Sequence, residues 1–193
     1  MTKSEARKEY LRKRQLLNDA ERDIFNIKIY NLFFASGEIE YARTVHIFLS
    51  LQRTNEPDTW QIIDRIRREM GHIRLVVPRI NDAGTLEHVY FEGLHQLKES
   101  KFGILEPTQG VPAIVNKIDF VLVPLAAIDV EGNRVGYGKG HYDRFLKECR
   151  PGCVKAGISF FDPAERFEDV EEHDVPLDLC FTPNGILKFK TLD

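Results

Sequence analysis

Apolar residues along the chain form short runs separated by longer segments with helical spacing. Apolar and β-branched runs predict buried strands at 44–50, 73–79, 155–160 and 179–182, and a last strand in the sequence ILKFK. Residues 85–91 alternate apolar and polar positions, which predicts a strand antiparallel to its neighbour across a turn at 81–84. The strongest run, 119–128 (DFVLVPLAAI), is almost continuously apolar and predicts one central strand covered on both faces.

Two helix signals precede the first strand. Thr2 and Glu5 have the spacing of a capping box, so we expect a helix from there to about residue 17. Asn18 and Glu21 repeat this spacing and predict a second helix, which ends at Gly37. Its inward side is expected to carry three apolar residues, Ile24, Ile27 and Phe34.

Two more helices are expected further along the chain. One should begin near Asn55, because Pro57 suits a first helical turn, and an apolar stripe follows at Ile63, Ile66 and Met70. Another should begin near His141. Strand, helix and strand in this order predict an α/β fold, with an open, mainly parallel sheet and helices on both faces.

The chain is expected to form a single domain over residues 1–193. We find no internal repeat, and the segment 100–116 has two prolines and two glycines among apolar residues, which predicts a structured loop.

Composition narrows the class of protein. The 193 residues carry 27 Lys and Arg against 30 Asp and Glu, a net charge of −3, which disfavours general nucleic-acid binding. The three cysteines have no CxxC spacing, so neither a disulfide framework nor a zinc site is indicated. The sequence has no apolar leader and no membrane-spanning run, so we expect a cytoplasmic protein with no membrane partner.

The segment that follows the strongest strand predicts a phosphate site. Gly136, Gly138 and Gly140 allow backbone amides to converge just before a helix N-terminus, where phosphate oxygens are bound well. Arg134 and Lys139 add two cations there. The pattern is neither a P-loop nor a dinucleotide motif, and a tight strand-to-helix connection is the alternative interpretation.

Other polar residues leave alternatives open. Asp143 is expected in the first helical turn, where it either caps the helix or coordinates Mg²⁺. The basic first helix is either a solvated face or an arm that contacts an anion. Four histidines are interpreted as structural because none has a partner at useful spacing: His46, His72, His88 and His95. Cys149 and Cys153 are separated by Pro151, which disfavours a redox pair on one helix.

The stretch GNRVGYGKGHYDRFL resembles the signature of the 5-formyltetrahydrofolate cyclo-ligase family. Further similarities follow the chain in order: Lys3 and Arg7 spaced K-x-x-x-R, IFLSLQ, Glu56 and Thr59 spaced E-x-x-T, VVPR, FGILEP, and HDVPLD leading to Thr182 and Pro183. Two departures are visible: His141 stands where that family usually has Tyr or Phe, and one or two extra residues lie between Ser50 and Glu56.

The resemblance implies ATP-dependent conversion of 5-formyltetrahydrofolate to 5,10-methenyltetrahydrofolate, with Mg²⁺ and release of ADP and phosphate. It also implies the three-layer architecture shared with sugar-phosphate isomerases and CoA transferases. Lys139, Arg134 and Tyr142 are the catalytic candidates. The ATP site is expected to comprise Lys3, Ser4, Glu5, Ala6 and Arg7 from the first helix, and Arg134, Val135, Gly136, Tyr137, Gly138, Lys139, Gly140, His141 and Tyr142 from the glycine segment.

The resemblance assigns Mg²⁺ to Asp143 and Asp174, with Asp178 as the competing choice for the second ligand. The folate is expected to contact Leu49, Leu51, Glu56, Phe102, Tyr137 and His141. Glu56 is the candidate for bonding the pterin N–H groups, and its alternative role is a first-turn helix charge. His141 could instead cap its helix. We expect a monomer.

Two other functions fit the residues. A sugar-phosphate isomerase or CoA-transferase-like enzyme would use the same glycine segment for another phosphate and would show no folate dependence. A non-catalytic ATP- or RNA-binding regulator would use the basic first helix, and its binding would weaken when Lys3, Arg7 and Arg14 are replaced.

Overall fold

The computed structural model describes residues 1–81, 83–99 and 105–189. Its α-helices are α1 (Lys3–Leu16), α2 (Asp19–Ala35), α3 (Trp60–Glu69) and α4 (His141–Glu148). Its strands are β1 (Thr44–Ile47), β2 (Arg74–Ile80), β3 (Leu86–Tyr90), β4 (Leu97–Glu99), β5 (Leu105–Pro107), β6 (Phe120–Val123), β7 (Ala127–Ile128), β8 (Arg134–Val135), β9 (Val154–Ile158), β10 (Leu179–Thr182) and β11 (Gly185–Lys188). The capping boxes predicted for α1 and α2 are both confirmed.

Seven strands form one sheet in the order β11-β10-β9-β6-β1-β2-β3. The five inner strands pair in parallel. The edge strands β3 and β11 are antiparallel to their neighbours. The predicted α/β class with a mainly parallel sheet is therefore confirmed, as is the antiparallel pairing of the strand predicted at 85–91.

The side chains of β6 alternate between two cores on opposite faces of the sheet. Phe120 and Leu122 pack in the core that includes residues of α2 and α3. Val121 and Val123 pack in a second core that includes Phe145 of α4. Helices thus cover both faces, which gives the expected three layers. A third, smaller cluster joins α1 to the β7–β8 hairpin.

The prediction of one continuous strand over 119–128 is wrong. The chain leaves the main sheet after Val123, and Pro124 separates β6 from β7. Proline has no backbone N–H to donate to a strand ladder, so the parallel pairing ends there. β7 pairs instead with β8 in an antiparallel hairpin, and this hairpin leads directly into the glycine segment.

The predicted inward side of α2 is wrong for Ile24 and Ile27, whereas Phe34 is partly buried and packs against the core. Ile24 and Ile27 are each 54% exposed, whereas Ile29 and Phe33 are 1% exposed and pack in the core. Ile29 and Phe33 are four residues apart and lie on the same face of the helix. Packing against the sheet selects this face, because Phe33 contacts the rings of both Phe120 and Phe181.

The third helix begins at Trp60 and not near Asn55, so that prediction is wrong. Residues Gln52–Thr54 form a short 3-10 turn, and Asn55 follows it with φ +50°, a left-handed conformation that cannot continue a helix. The Asp58 carboxylate accepts the Trp60 amide at 2.8 Å, which marks the true start. Residues 52–59 therefore form a loop at the carboxyl end of β1.

Within the part of the chain that the structure describes, no helix is both long and apolar enough to cross a membrane.

Candidate active site

A cavity of about 320 Å³ lies near the carboxyl end of β6. Its lining comprises Lys3, Arg7, Ile80, Leu86, Pro124, Arg134, Val135, Gly136, Tyr137, Gly138, Lys139, Gly140, His141, Tyr142, Asp143, His173 and Asp174. The neighbouring strands β1 and β6 are parallel, and the chain proceeds from them to opposite sides of the sheet. Ligands of open α/β sheets bind at such points, so the location itself favours a binding site.

The β7–β8 hairpin holds Arg134 in this cavity. Its turn is organised by Asp129, whose buried carboxylate accepts the backbone amides of Glu131, Asn133 and Phe167 and the Asn133 side-chain amide. Gly132 has φ +87°, and a Cβ there would lie 2.7 Å from Phe189 Cγ. A larger residue at 132 would therefore displace the turn that positions Arg134.

Two of the three glycines of the glycine segment have a backbone conformation that favours glycine. Gly138 has φ +92° and Gly140 has φ +63°, both in the region that disfavours residues with a Cβ. Gly140 is the N-cap of α4 and offers no side-chain acceptor, so the first amides of this helix can take an external acceptor. Such amides, with the helix dipole behind them, are suited to phosphate oxygens.

The α1 helix contributes two cations to the same cavity. Lys3 Nζ lies 2.6 Å from Asp174 Oδ2, and Arg7 Nε donates to the Gly136 carbonyl at 2.7 Å. Arg14, at the other end of α1, is only 4% exposed. Lys3 and Arg7 line the cavity and Arg14 is buried, which argues against the interpretation of these three residues as a solvated face.

The cavity is positively charged although the chain has a net charge of −3. Four cationic side chains and two carboxylates line it, which gives a local charge of about +2 with histidines neutral. Arg134 Nη1 pairs with Asp143 Oδ1 at 2.9 Å, as Lys3 pairs with Asp174. Arg7 and Lys139 form no ion pair with any described residue, so their charge is available to an anion.

Asp143 and Asp174 lie at this cavity, as the resemblance implied for metal ligands. Asp143 Oδ1 also accepts the Val175 amide, and Asp174 Oδ2 also accepts the Glu171 amide. In the described residues the second oxygen of each carboxylate accepts no hydrogen bond. Burial acts to raise the pKa of Asp174, but the Glu171 amide and the Lys3 ammonium outweigh it and lower that pKa.

The donor set fits Mg²⁺ better than a metal held by protein alone. Over residues 1–81, 83–99 and 105–189 no three His, Cys, Asp or Glu side chains cluster as a metal cage. Mg²⁺ is typically held by one or two carboxylates together with substrate phosphates and waters, which the two aspartates could provide. Asp178, the competing ligand, instead accepts the Lys155 amide at 2.7 Å and joins β9 to β10.

Glu56 lies in the loop before α3 and not in its first turn, which removes the first-turn interpretation. Its Oε2 accepts the Leu51 amide at 2.8 Å, and its Oε1 accepts the Tyr137 hydroxyl. The same hydroxyl accepts a hydrogen bond from Arg14 Nη2 at 2.8 Å. Glu56 is thus joined to the glycine segment by Tyr137.

The hydroxyl of Tyr142 is buried and has no hydrogen-bond partner among the described residues. Burial, together with the negative charge of Glu56, raises the Tyr142 pKa, so this group stays protonated as a donor. His141, next to it, has its pKa lowered by burial and by the charges of Arg144 and Lys139.

The prediction that His46 and His88 lack a partner is wrong, because their ring nitrogens share a hydrogen bond at 3.1 Å. The His88 ring stacks on Phe145 of α4 with a centroid separation of 3.8 Å. Residues of β1 and β3 are thereby packed against the helix that follows the glycine segment. The pair supports α4 from the sheet side, which agrees with the predicted structural role.

Several predicted residues lie outside the cavity lining. Glu5 completes the capping box of α1, Ser4 is exposed, and Ala6 is fully buried against the β7–β8 hairpin. Leu49 is buried in the core beside α3, and Leu51 is half-buried next to Glu56. Phe102 lies outside the described residues.

Four residues of the cavity lining have no role in the assignment made from the sequence: Ile80, Leu86, Pro124 and His173. Arg14, expected from the sequence only in the regulator alternative, lies beneath Tyr137. His173 precedes Asp174 in the HDVPLD motif, so it could have been found from its neighbour. Ile80, Leu86 and Pro124 carry no local signal for a place in the cavity lining.

Comparison with known proteins identifies the family of this chain. The model of the 5-formyltetrahydrofolate cyclo-ligase family matches residues 1–183. The 5-formyltetrahydrofolate cyclo-ligase of Escherichia coli K12 is 30% identical over 149 residues, which cover 75% of this chain and 80% of the relative. The Mus musculus 5-formyltetrahydrofolate cyclo-ligase is 26% identical over 187 residues, 89% of each chain.

Solved structures show the same relationship. The NMR structure of Aquifex aeolicus 5,10-methenyltetrahydrofolate synthetase has a TM-score of 0.81 and 27% identity, and the match covers 100% of this chain and 97% of that chain. A 5,10-methenyltetrahydrofolate synthetase from Mycoplasma pneumoniae shares the fold, with a TM-score of 0.75 at 24% identity over 94% of this chain and 98% of that chain. The chain therefore belongs to the 5-formyltetrahydrofolate cyclo-ligase family, a family of ligases.

Proposed function

We propose that the protein converts 5-formyltetrahydrofolate to 5,10-methenyltetrahydrofolate at the cavity beside the glycine segment, using ATP and Mg²⁺. The observation that carries this proposal is the positively charged cavity under an open helix N-terminus, joined through Tyr137 to the carboxylate of Glu56. The positively charged cavity suits a triphosphate, and the Glu56 carboxylate suits a ring that presents N–H donors.

The reaction needs an activated oxygen. The N10 nitrogen of the folate must attack the formyl carbon, but oxide is a poor leaving group. Transfer of the γ-phosphoryl group to the formyl oxygen releases ADP and forms an imidate phosphate. N10 then attacks the carbon and loses its proton, and phosphate departs with the former formyl oxygen. The protein's contribution is mainly positioning and charge neutralisation.

The triphosphate is assigned to the amides of residues 136–140 and to four cations, Lys3, Arg7, Arg134 and Lys139. Lys139 suits the transferring phosphoryl group, because its ammonium forms no ion pair with a described residue. The buried Arg134 is fixed by Asp143 and by the Val175 carbonyl at 3.2 Å, so it can present a preorganised charge.

Asp143 and Asp174 are assigned to Mg²⁺. When bound, Mg²⁺ neutralises phosphate charge and makes the terminal phosphoryl group a better electrophile. Lys3 and Arg134 now pair with these two carboxylates. If phosphate oxygens bound the two cations instead, both carboxylates would be available to the metal. Tyr142 supplies a further donor, since its buried hydroxyl needs an acceptor and a formyl or phosphoryl oxygen would be one.

The pterin ring is assigned to Glu56. A carboxylate offers about four acceptor positions, and the Leu51 amide and Tyr137 hydroxyl use one on each oxygen of Glu56. One acceptor position on each oxygen remains for the adjacent N–H donors of a pterin. Tyr137 and His141, which line the cavity, are assigned to the surroundings of the ring, with Leu51 as an apolar contact.

The direct test is absorbance detection of methenyltetrahydrofolate with purified protein, 5-formyltetrahydrofolate and Mg²⁺, with and without ATP. Product that appears with ATP, and not with a non-hydrolysable analogue, supports the proposal. ATP binding without product would favour the isomerase-like or regulatory alternatives. The cytoplasm remains the proposed location, and a monomer remains the predicted state.

A further inference from the structure

Arg14 is a buried cation that the proposed mechanism does not use. It lies in the last turn of α1 and is 4% exposed, while its helix neighbour Arg12 is exposed. A buried guanidinium loses hydration, and an apolar side chain would fill such a place with less penalty. A function that needs a guanidinium at this position would explain why the chain has one.

Its contacts connect three separate segments. Arg14 Nη2 donates to the Tyr137 hydroxyl at 2.8 Å, and Nη1 donates to the Leu125 carbonyl at 3.4 Å. Its guanidinium carbon lies 5.9 Å from the centre of the Tyr137 ring. Its backbone carbonyl accepts the Asn55 side-chain amide at 3.4 Å, beside Glu56. Arg14 is thus held from the glycine segment, the β6–β7 connection and the Glu56 loop.

The order of donors and acceptors gives this arrangement a direction. The Tyr137 hydroxyl has one proton and donates it to Glu56 Oε1. Arg14 donates to a lone pair of the same hydroxyl oxygen. Because a guanidinium has no acceptor atom, the hydroxyl proton cannot point towards Arg14 and points towards Glu56. Without Arg14 the hydroxyl could rotate away, and Glu56 would lose both an oriented donor and a nearby positive charge.

We propose that Arg14 is a positioning residue for the folate substrate: by orienting Tyr137 it fixes the Glu56 carboxylate that receives the pterin N–H groups. The inference rests on the proposed assignment of Glu56 to the pterin. Arg14 does not contact substrate itself. Its effect should therefore appear in folate recognition and much less in ATP recognition, because Lys3, Arg7 and Arg134 remain in place.

The experiment compares Arg14→Met with Arg14→Lys and with Arg12→Met, an exposed control on the same helix. Arg14→Met should raise the KM for 5-formyltetrahydrofolate about tenfold, the usual scale for a hydrogen bond to a charged group, and change the KM for ATP less than about twofold. Arg14→Lys keeps a cationic donor and should recover part of the folate KM. Arg12→Met should match the wild type.

A double-mutant cycle separates positioning from general stability. If Arg14 acts through Tyr137, Arg14→Met should add little to the folate KM of Tyr137→Phe. A folded Arg14→Met protein with unchanged folate KM would overturn the inference, as would equal losses for ATP and folate. Should Arg14→Met fail to fold, Tyr137→Phe decides instead, because it removes the hydroxyl that Arg14 orients. An unchanged folate KM in that folded variant would refute an effect of Arg14 through Tyr137. Wild-type protein without ATP-dependent cyclisation contradicts the proposed function instead.

Discussion

Substitution of Gly138 tests whether the backbone shape of the glycine segment, rather than its charges, binds the nucleotide. Gly138 has φ +92°, and a Cβ placed there would lie 3.8 Å from the Arg7 guanidinium, which is ordinary contact. Gly138→Ala therefore introduces conformational strain without a collision. Any loss of ATP binding must come from the change in backbone conformation.

The magnitude follows from that conformation. A residue with a Cβ pays about 1–2 kcal/mol in the left-handed region, and up to about 3 kcal/mol in sparsely populated conformations. If the segment relaxes to avoid the strain, ATP binding must restore the strained form. The Kd for ATP should then rise by roughly 5-fold to 150-fold, at about 1.4 kcal/mol per factor of ten.

Gly37→Ala is the matched control. Gly37 has φ +72°, and its nearest contact for a Cβ would be Glu40 at 3.7 Å, but it lies at the end of α2 outside the cavity lining. It should lose comparable stability in urea unfolding and bind ATP normally in equilibrium titrations. Equal ATP affinity in Gly138→Ala and Gly37→Ala would refute the reasoning.

Lys139, the aspartates at 174 and 178, and His88 can each be tested separately. Lys139→Ala should lower kcat/KM by an amount that corresponds to about 2–4 kcal/mol of lost transition-state stabilisation. Lys147→Ala, at an exposed position on α4, should leave kcat/KM unchanged in the same steady-state assay. Asp174→Asn should raise the Mg²⁺ concentration for half-maximal activity about tenfold or more, and Asp178→Asn should reduce stability instead; the reverse pattern would transfer the metal to Asp178. Burial lowers the pKa of His88 to about 4, against an opposing effect of the Glu87 charge, so the unfolded chain binds more protons between pH 6.5 and 4. The contribution of His88 to the free energy of unfolding should accordingly fall by on the order of 3 kcal/mol as the pH drops through that range. Urea titrations at several pH values measure this. A free energy of unfolding that falls no more steeply in wild type than in His88→Gln would contradict the prediction.

Features encoded by neighbouring residues could be predicted from the sequence. The parallel strands appear as apolar runs, and the glycine segment combines left-handed glycines with a helix start within a few residues. The capping boxes depend on residues three positions apart. In each case the stabilising contact is local, so the pattern contains the information.

Features that depend on distant contacts could not be predicted in this way. Lys3 and Asp174 are 171 positions apart, and Tyr137 and Glu56 are 81 apart. Which side of α2 faces inward is decided by packing against the sheet, and apolar residues occur on more than one side of that helix. The residues of α1 alone leave open whether this basic helix is a solvated face or an arm that contacts an anion, because only the fold brings its cations to the glycine segment. Pro124 was a visible signal, but the length of the apolar run outweighed it.

In the proposed mechanism the cavity activates the formyl oxygen by phosphorylation. This step is tested most directly with 5-formyltetrahydrofolate labelled with ¹⁸O in the formyl group, followed by mass analysis of the phosphate released during ATP-dependent cyclisation. One ¹⁸O atom is expected in each phosphate, because the formyl oxygen leaves bound to phosphorus. Unlabelled phosphate, with the label released to water, would contradict it.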